Sequence, residues 1–175
     1  LRRITEKTAA VIVETVQAEW GVRRPQNDYL KKLRARCDET GALLILDEIQ
    51  AGYGRTGTLF AFEQYGIEPD ILLLAKGMGG GMPIGAFVAN QERMKVLSFE
   101  PLLGHLTTLG GHPVCCAAAL ATLKTLLSEK LIEQVFEKSK LFLELLKHPA
   151  IVAVREAGLL LAVELNDFDF VQAVI

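Results

Sequence analysis

The chain has no excess of either charge: 19 basic side chains stand against 21 acidic ones over 175 residues, a formal charge of -2. These charges are scattered and not gathered in blocks, so the electrostatic footprint that nucleic-acid binding requires is missing. Long hydrophobic runs are missing too. The apolar stretches are broken by charge or glycine well short of the roughly 20 residues that span a bilayer, and no secretory signal opens the chain. Cysteine is scarce and odd in number. Cys37, Cys115 and Cys116, the last two adjacent, suit a reducing compartment better than a disulfide framework, and buried small-residue packing is the expected role of all three. A cytosolic location is the resulting expectation. Repeats, low-complexity tracts and long linkers are also absent. What is present is an apolar share of 50%, enough to bury the core of one globular domain together with a piece of another. Leu1 is not a methionine and Ile175 falls within a helical pattern, so both ends are expected to be cuts in something longer.

Short apolar runs at Ala9–Val13, Leu43–Leu46 and Ile71–Leu74 predict strands buried on both faces of a mostly parallel sheet. Between the first two, residues 27–40 carry Leu30, Leu33 and Cys37 at helical spacing, and Gly41 stops the helix. Strand, helix, strand predicts a right-handed parallel crossover, and hence an α/β fold with helices flanking the sheet. Ile84–Ala89 is a further strand candidate behind Pro83. Residues 113–127, apolar almost all round and opened by Pro113, predict a buried helix. Residues 128–147 place Leu131, Val135, Phe136, Phe142 and Leu145 among charges, the pattern of an amphipathic surface helix. Beyond His148 and Pro149 the pattern changes to two strands, Ile151–Arg155 and Leu159–Leu165, and then to the start of another helix. A domain boundary is therefore expected near residue 150, with 151–175 beginning a small α+β domain.

Each of the first three strands runs into charge at its carboxyl end: Glu14, then Asp47 with Glu48, then Lys76. That edge is where open α/β sheets bind ligands. A lysine amine condenses with an aldehyde to give a Schiff base, and Gly77 beside Lys76 allows a ligand close to the backbone. Pyridoxal phosphate is such an aldehyde. Its ring accepts the electrons of a carbanion at the amino-acid alpha carbon, and a carboxylate on the ring nitrogen keeps that nitrogen protonated; Asp47 has the right chemistry. On spacing alone, an Asp47–Lys76 ion pair within the sheet edge is the plainer reading.

The stretch LLILDEIQAGYGRTGTLFAFEQYGIEPDILLLAKGMGGGMPIGAFVA turns that judgement round. Its order of acid, Ile-Gln, Gly-Arg-Thr-Gly, Pro-Asp, apolar strand, Lys-Gly and glycine run resembles the signature of class III aminotransferases, pyridoxal-phosphate enzymes of fold type I. The likeness extends from VIVETVQAEWGVRRP to HLTTLGGHPVCCAAALATL. It implies the large cofactor-binding domain of that fold, in part, over residues 1–150. It also implies that Lys76 holds pyridoxal 5'-phosphate as a Schiff base and then carries the proton between the alpha carbon and the cofactor. Asp47 would pair with the ring nitrogen, Ile49 would lie on one ring face, and Gln50 would hydrogen-bond near the ring's phenolic oxygen. Thr108 would reach across a homodimer interface to the partner's cofactor phosphate; without the resemblance, a core or N-cap role is its plain reading. Glu19 matches a glutamate that swings aside for 2-oxoglutarate or glutamate, and Glu14 matches another acid near the cofactor, while both also fit solvated surface positions. The activity implied is transfer of an amino group from an ornithine- or acetylornithine-like omega-amino donor to 2-oxoglutarate in a ping-pong cycle. Aminomutase, racemase or decarboxylase chemistry, and a folded core without activity of its own, are the alternatives.

Four positions depart from the family pattern: Thr15 in place of Pro, Trp20 at a small or variable position, His112 in place of Asn, and Glu156 in place of Gly. Thr15 and His112 are expected near the substrate or phosphate side. The family's phosphate loop and ring-stacking aromatic would lie before Leu1, and its substrate-carboxylate arginine after Ile175. The run Gly77–Gly85 matches neither nucleotide phosphate loop, and His105, His112, Cys115 and Cys116 match no familiar zinc spacing, so no metal is expected.

Overall fold

A computed structural model describes residues 1–99, 101–102 and 104–166; the helix expected towards Ile175 lies outside them. The central sheet has the order β1-β2-β3-β4, formed by β1 (Ala10–Glu14), β2 (Leu43–Asp47), β3 (Ile71–Leu74) and β4 (Ala86–Ala89). The first three strands run parallel and β4 is antiparallel to β3. The link from β3 to β4 is too short for a helical crossover, so the chain turns back along the same edge. The register lines up Glu14 with Asp47 and Asp47 with Leu73 across that edge.

Helix α1 (Tyr29–Thr40) connects β1 to β2 and turns Leu30, Leu33 and Cys37 inward. It starts later than the spacing predicts because Asn27 and Asp28 adopt left-handed backbone, with φ of 54° and 55°. Gly41 at φ 74° closes it, a conformation that glycine adopts without a Cβ penalty. The inward residues pack with Leu44, Leu46, Leu72 and Leu74 to form the main core. Along β2 burial alternates: Leu44, Leu46 and Glu48 are buried, whereas Ile45 and Asp47 are half-buried on the other face. The expected burial on both faces is therefore corrected. On the outer strand β1, Ile12 is 64% exposed.

Helix α2 (Gln91–Phe99) was not anticipated, although Asn90 before it is an N-cap signal and its Oδ1 accepts the Arg93 N–H at 2.9 Å. Helix α3 (Pro113–Ser128) opens on proline as predicted, but only Cys115 and Ala119 are buried. Val114, Leu120 and Leu127 are exposed, which corrects the expectation of a helix covered all round. Cys116 is likewise exposed, while Cys37 and Cys115 are buried. Helix α4 (Val135–Leu145) begins after Ser128 because the intervening residues form turns, with Lys130 in left-handed backbone at φ 53°.

The hairpin β5 (Ile151–Ala157) and β6 (Leu160–Leu165) forms a second, antiparallel sheet. Its Ala157, Leu160 and Ala162 pack on Val16, Val22, Ala51 and Ala61, a smaller core beside the carboxyl edge of the main sheet. Gly158 makes this approach possible: a Cβ there would lie 2.7 Å from the Arg55 carbonyl oxygen. That same oxygen accepts the Leu159 N–H at 2.9 Å.

Candidate active site

Parallel strands end together, so the three charged strand ends anticipated from the sequence share one edge. Glu14 and Asp47 are paired neighbours, and Lys76 lies just past β3. Asp47 Oδ1 accepts the Ile49 N–H at 3.0 Å, which bends the chain and places Ile49 and Gln50 directly after the strand end. No ion pair joins Asp47 to Lys76 among the described residues, so the plain structural reading of the two is not realised. The second oxygen of Asp47 has no protein donor among them, and Lys76 is exposed.

Lys76 sits at φ 44°, left-handed backbone that a side chain with a Cβ rarely adopts. Such strain persists only where the surroundings over-determine it, and it concentrates at ligand sites. A short 3₁₀ helix, Lys76–Gly79, follows directly, and Gly80 beyond it lies against α3: a Cβ there would meet Thr122 Oγ1. Gly77 and Gly81 face open space or ordinary contact only, leaving room beside the lysine.

Gln50 and Glu19 are brought together: Gln50 Nε2 donates to Glu19 Oε1 at 2.8 Å. Glu19 rides on a small turn closed by two hydrogen bonds between Gln17 and Arg23, each 3.0 Å. Glu14 Oε2 accepts the Ala18 N–H at 2.9 Å and so supports the base of this turn. Trp20, beside Glu19, is exposed. Thr108 shares no hydrogen bond with the others among the described residues. It lies exposed in a bend, and the residue capping α3 is His112, so neither a core nor an N-cap role holds for it here.

Glu48, counted with Asp47 among the charged strand ends, has a role that sequence reasoning missed: it is 1% exposed and on the opposite face from Asp47. Its carboxylate accepts the Ala61 N–H at 2.6 Å, the Phe62 N–H at 2.7 Å and the Thr15 hydroxyl at 3.0 Å. Burial raises the Glu48 pKa, and these hydrogen bonds oppose the rise. Thr15 is fully buried on that side, which corrects its expected place near substrate. The alternation of β2 was the available signal, since it sends Asp47 and Glu48 to opposite faces.

The donor set suits a group with an aldehyde and a protonated ring nitrogen: an unpaired, accessible lysine, a carboxylate with one free oxygen, and glycines that keep the space open. Known proteins point the same way. A family model described as Aminotransferase class-III matches residues 1–174. The acetylornithine aminotransferase of Methanocaldococcus jannaschii is 47% identical, over 98% of this chain and 44% of its own length. The putrescine aminotransferase of Pectobacterium atrosepticum is 51% identical, over 91% of this chain and 35% of its own. Among solved structures, the ornithine aminotransferase of Toxoplasma gondii, with partial occupancy of PLP at its active site, superposes with a TM-score of 0.83 at 39% identity. That match covers 94% of this chain and 39% of the other. The chain thus spans less than half the length of these relatives. With the fold of the type I pyridoxal-phosphate enzymes and a family match along its whole described length, the chain belongs to the class III aminotransferases.

Proposed function

We propose that the protein carrying this chain is a pyridoxal-phosphate-dependent aminotransferase that moves an amino group from an omega-amino donor, ornithine- or acetylornithine-like, to 2-oxoglutarate. The observation behind this reading is the pair of charges without an ion-pair partner among the described residues, Asp47 and strained Lys76, at neighbouring strand ends. Pyridoxal phosphate, when bound, supplies an electron sink for the carbanion at the substrate's reacting carbon. Lys76 would hold the cofactor through its Nζ, and the same amine would take and return the proton at the substrate's reacting carbon as general base and acid. Asp47 would accept the ring N–H through the carboxylate oxygen that the Ile49 N–H does not occupy. Ile49 would pack on the ring and Gln50 would donate near its phenolic oxygen. Glu19, held by Gln50, and Glu14 below it stand on the substrate side.

Thr108, exposed in this chain, would bind the cofactor phosphate of a second subunit in a homodimer. The chain divides at residue 150 into the large domain and the start of a small one, and the protein works in the cytosol. The donor class is supported by relatives named for acetylornithine, ornithine and putrescine. The test uses the longest natural polypeptide that carries this sequence. An omega-amine alone should discharge the visible absorbance of the bound cofactor and 2-oxoglutarate should restore it, with Lys76→Ala showing neither. Failure with every amine offered would sink the proposal.

A further inference from the structure

The turn that carries Glu19 is fixed from outside. Its Gly21 carbonyl accepts a hydrogen bond from Arg155 Nε at 2.6 Å, and Arg155 lies on β5, far along the chain. The same guanidinium donates from Nη1 to Glu164 Oε2 on β6 at 2.6 Å, so one planar group is gripped on two sides. Gly21 has φ 85°, and a Cβ there would lie 2.7 Å from Arg155 Nη2. The backbone conformation favours glycine, and a side chain there would push the end of the arginine aside. Next to it, Arg24 Nε donates to the Glu156 carbonyl at 3.2 Å and its Nη2 approaches the Glu156 carboxylate at 3.5 Å. The Glu156 carboxylate in turn accepts the Gly158 N–H at 2.8 Å. Underneath, Val16 and Val22 of the turn pack with Ala157 and with Ala51, the residue after Gln50.

We infer that Arg155 is a positioning residue for substrate discrimination: it holds the 17–23 turn in the one place where Glu19 meets Gln50. This rests on the reading that Glu19 stands on the substrate side. The hairpin thereby links the C-terminal sheet to the choice between amine donor and dicarboxylate acceptor, with no atom of Arg155 touching substrate.

The two half-reactions of the holoenzyme, amine forward and 2-oxoglutarate back, are followed separately by cofactor absorbance in Arg155→Met, Gly21→Ala and Glu19→Gln. Glu19→Gln should shift the ratio of the two kcat/KM values about tenfold, the scale of one lost charge-assisted hydrogen bond. Arg155→Met should shift it in the same direction, and the double variant no further than Glu19→Gln alone, because both act on one contact. Gly21→Ala, which leaves every charge in place, should reproduce Arg155→Met. Backbone amide exchange over 18–22 should accelerate in Arg155→Met and Gly21→Ala but not in Glu19→Gln. If Glu19→Gln moves the ratio while Arg155→Met scales both half-reactions equally, or if exchange stays unchanged, Arg155 is no positioning residue. If Glu19→Gln leaves the ratio unmoved, the substrate-side reading of Glu19 falls, and this inference with it. Half-reactions that never run overturn the aminotransferase reading itself.

Discussion

At the amino-terminal edge of the sheet, Asp70 is held by Arg34 at 2.8 Å, Arg93 at 2.7 Å and the Leu44 N–H at 2.8 Å. At the carboxyl-terminal edge, Asp47 has one backbone partner and Lys76 has no ion-pair partner among the described residues. Both edges contain acid and base within reach of the same strands. One pairs its charges internally, at ordinary backbone geometry, and works as a clasp. The other leaves them open and strains the lysine that bears one of them. Charges left unpaired at the carboxyl edge of a parallel sheet, where such sheets bind ligands, fit a ligand site.

The largest expected effect breaks the comparison at Lys76. In the longest natural polypeptide, Lys76→Ala should lower kcat by at least about a thousandfold, the scale of a lost general acid–base group. Its unfolding free energy should stay within about 0.5 kcal/mol of the parent, because the side chain is exposed. A large loss of stability would mean that the carboxyl edge is a clasp too.

Next come two acids, buried Glu48 and half-buried Asp70, whose pH behaviour should differ in sign. Glu48→Ala leaves the Ala61 and Phe62 N–H groups and the Thr15 hydroxyl without their acceptor, and should cost about 4 kcal/mol in denaturant unfolding. Burial holds Glu48 above its ordinary value. Its linked contribution is therefore fully present below the unfolded-state pKa and is lost as pH rises through the folded one. Asp70→Asn should cost about 2 kcal/mol by removing the carboxylate that Arg34 and Arg93 share, although Arg34 keeps Asp38. Burial alone would raise Asp70, but the Leu44 N–H, the Arg34 hydrogen bond and the charges of Arg34 and Arg93 outweigh it and hold the carboxyl low. Its contribution is present above the unfolded-state pKa and disappears as pH falls through the folded one. Unfolding followed across acid and neutral pH should thus lose one slope in each variant, and loss of the same slope in both would refute the contrast.

How far this was legible in the sequence depends on whether a residue's role is set by local period or by distant partners. The strands, α1 and the sharing of an edge by Glu14, Asp47 and Lys76 follow from apolar runs and parallel connection, both local rules. The exposed faces of Ile12, Val114 and Leu120 do not, since a helical or strand period says which side is apolar but not what covers it. Arg155 and Asp70 act on residues 134 and 36 positions away, at separations where no period operates. The Gln50–Glu19 bond was missed for the same reason: the family pattern implied each residue singly, and only the fold joined them.

Thr15 tests that point at the smallest scale. As a departure from the family's proline it suggested altered substrate handling, because strand ends are where substrate binds. Its neighbour Glu14 does point towards the Glu19 turn, but alternation sends Thr15 to the other face, where its hydroxyl donates to Glu48. Thr15→Val keeps the shape and deletes that donor, so it should cost about 1 kcal/mol of stability. The ratio of the two half-reactions should stay as in the parent. A shifted ratio with unchanged stability would place Thr15 on the ligand side after all, and with it would fall the division of the carboxyl edge into an open face at Asp47 and a clasped one at Glu48.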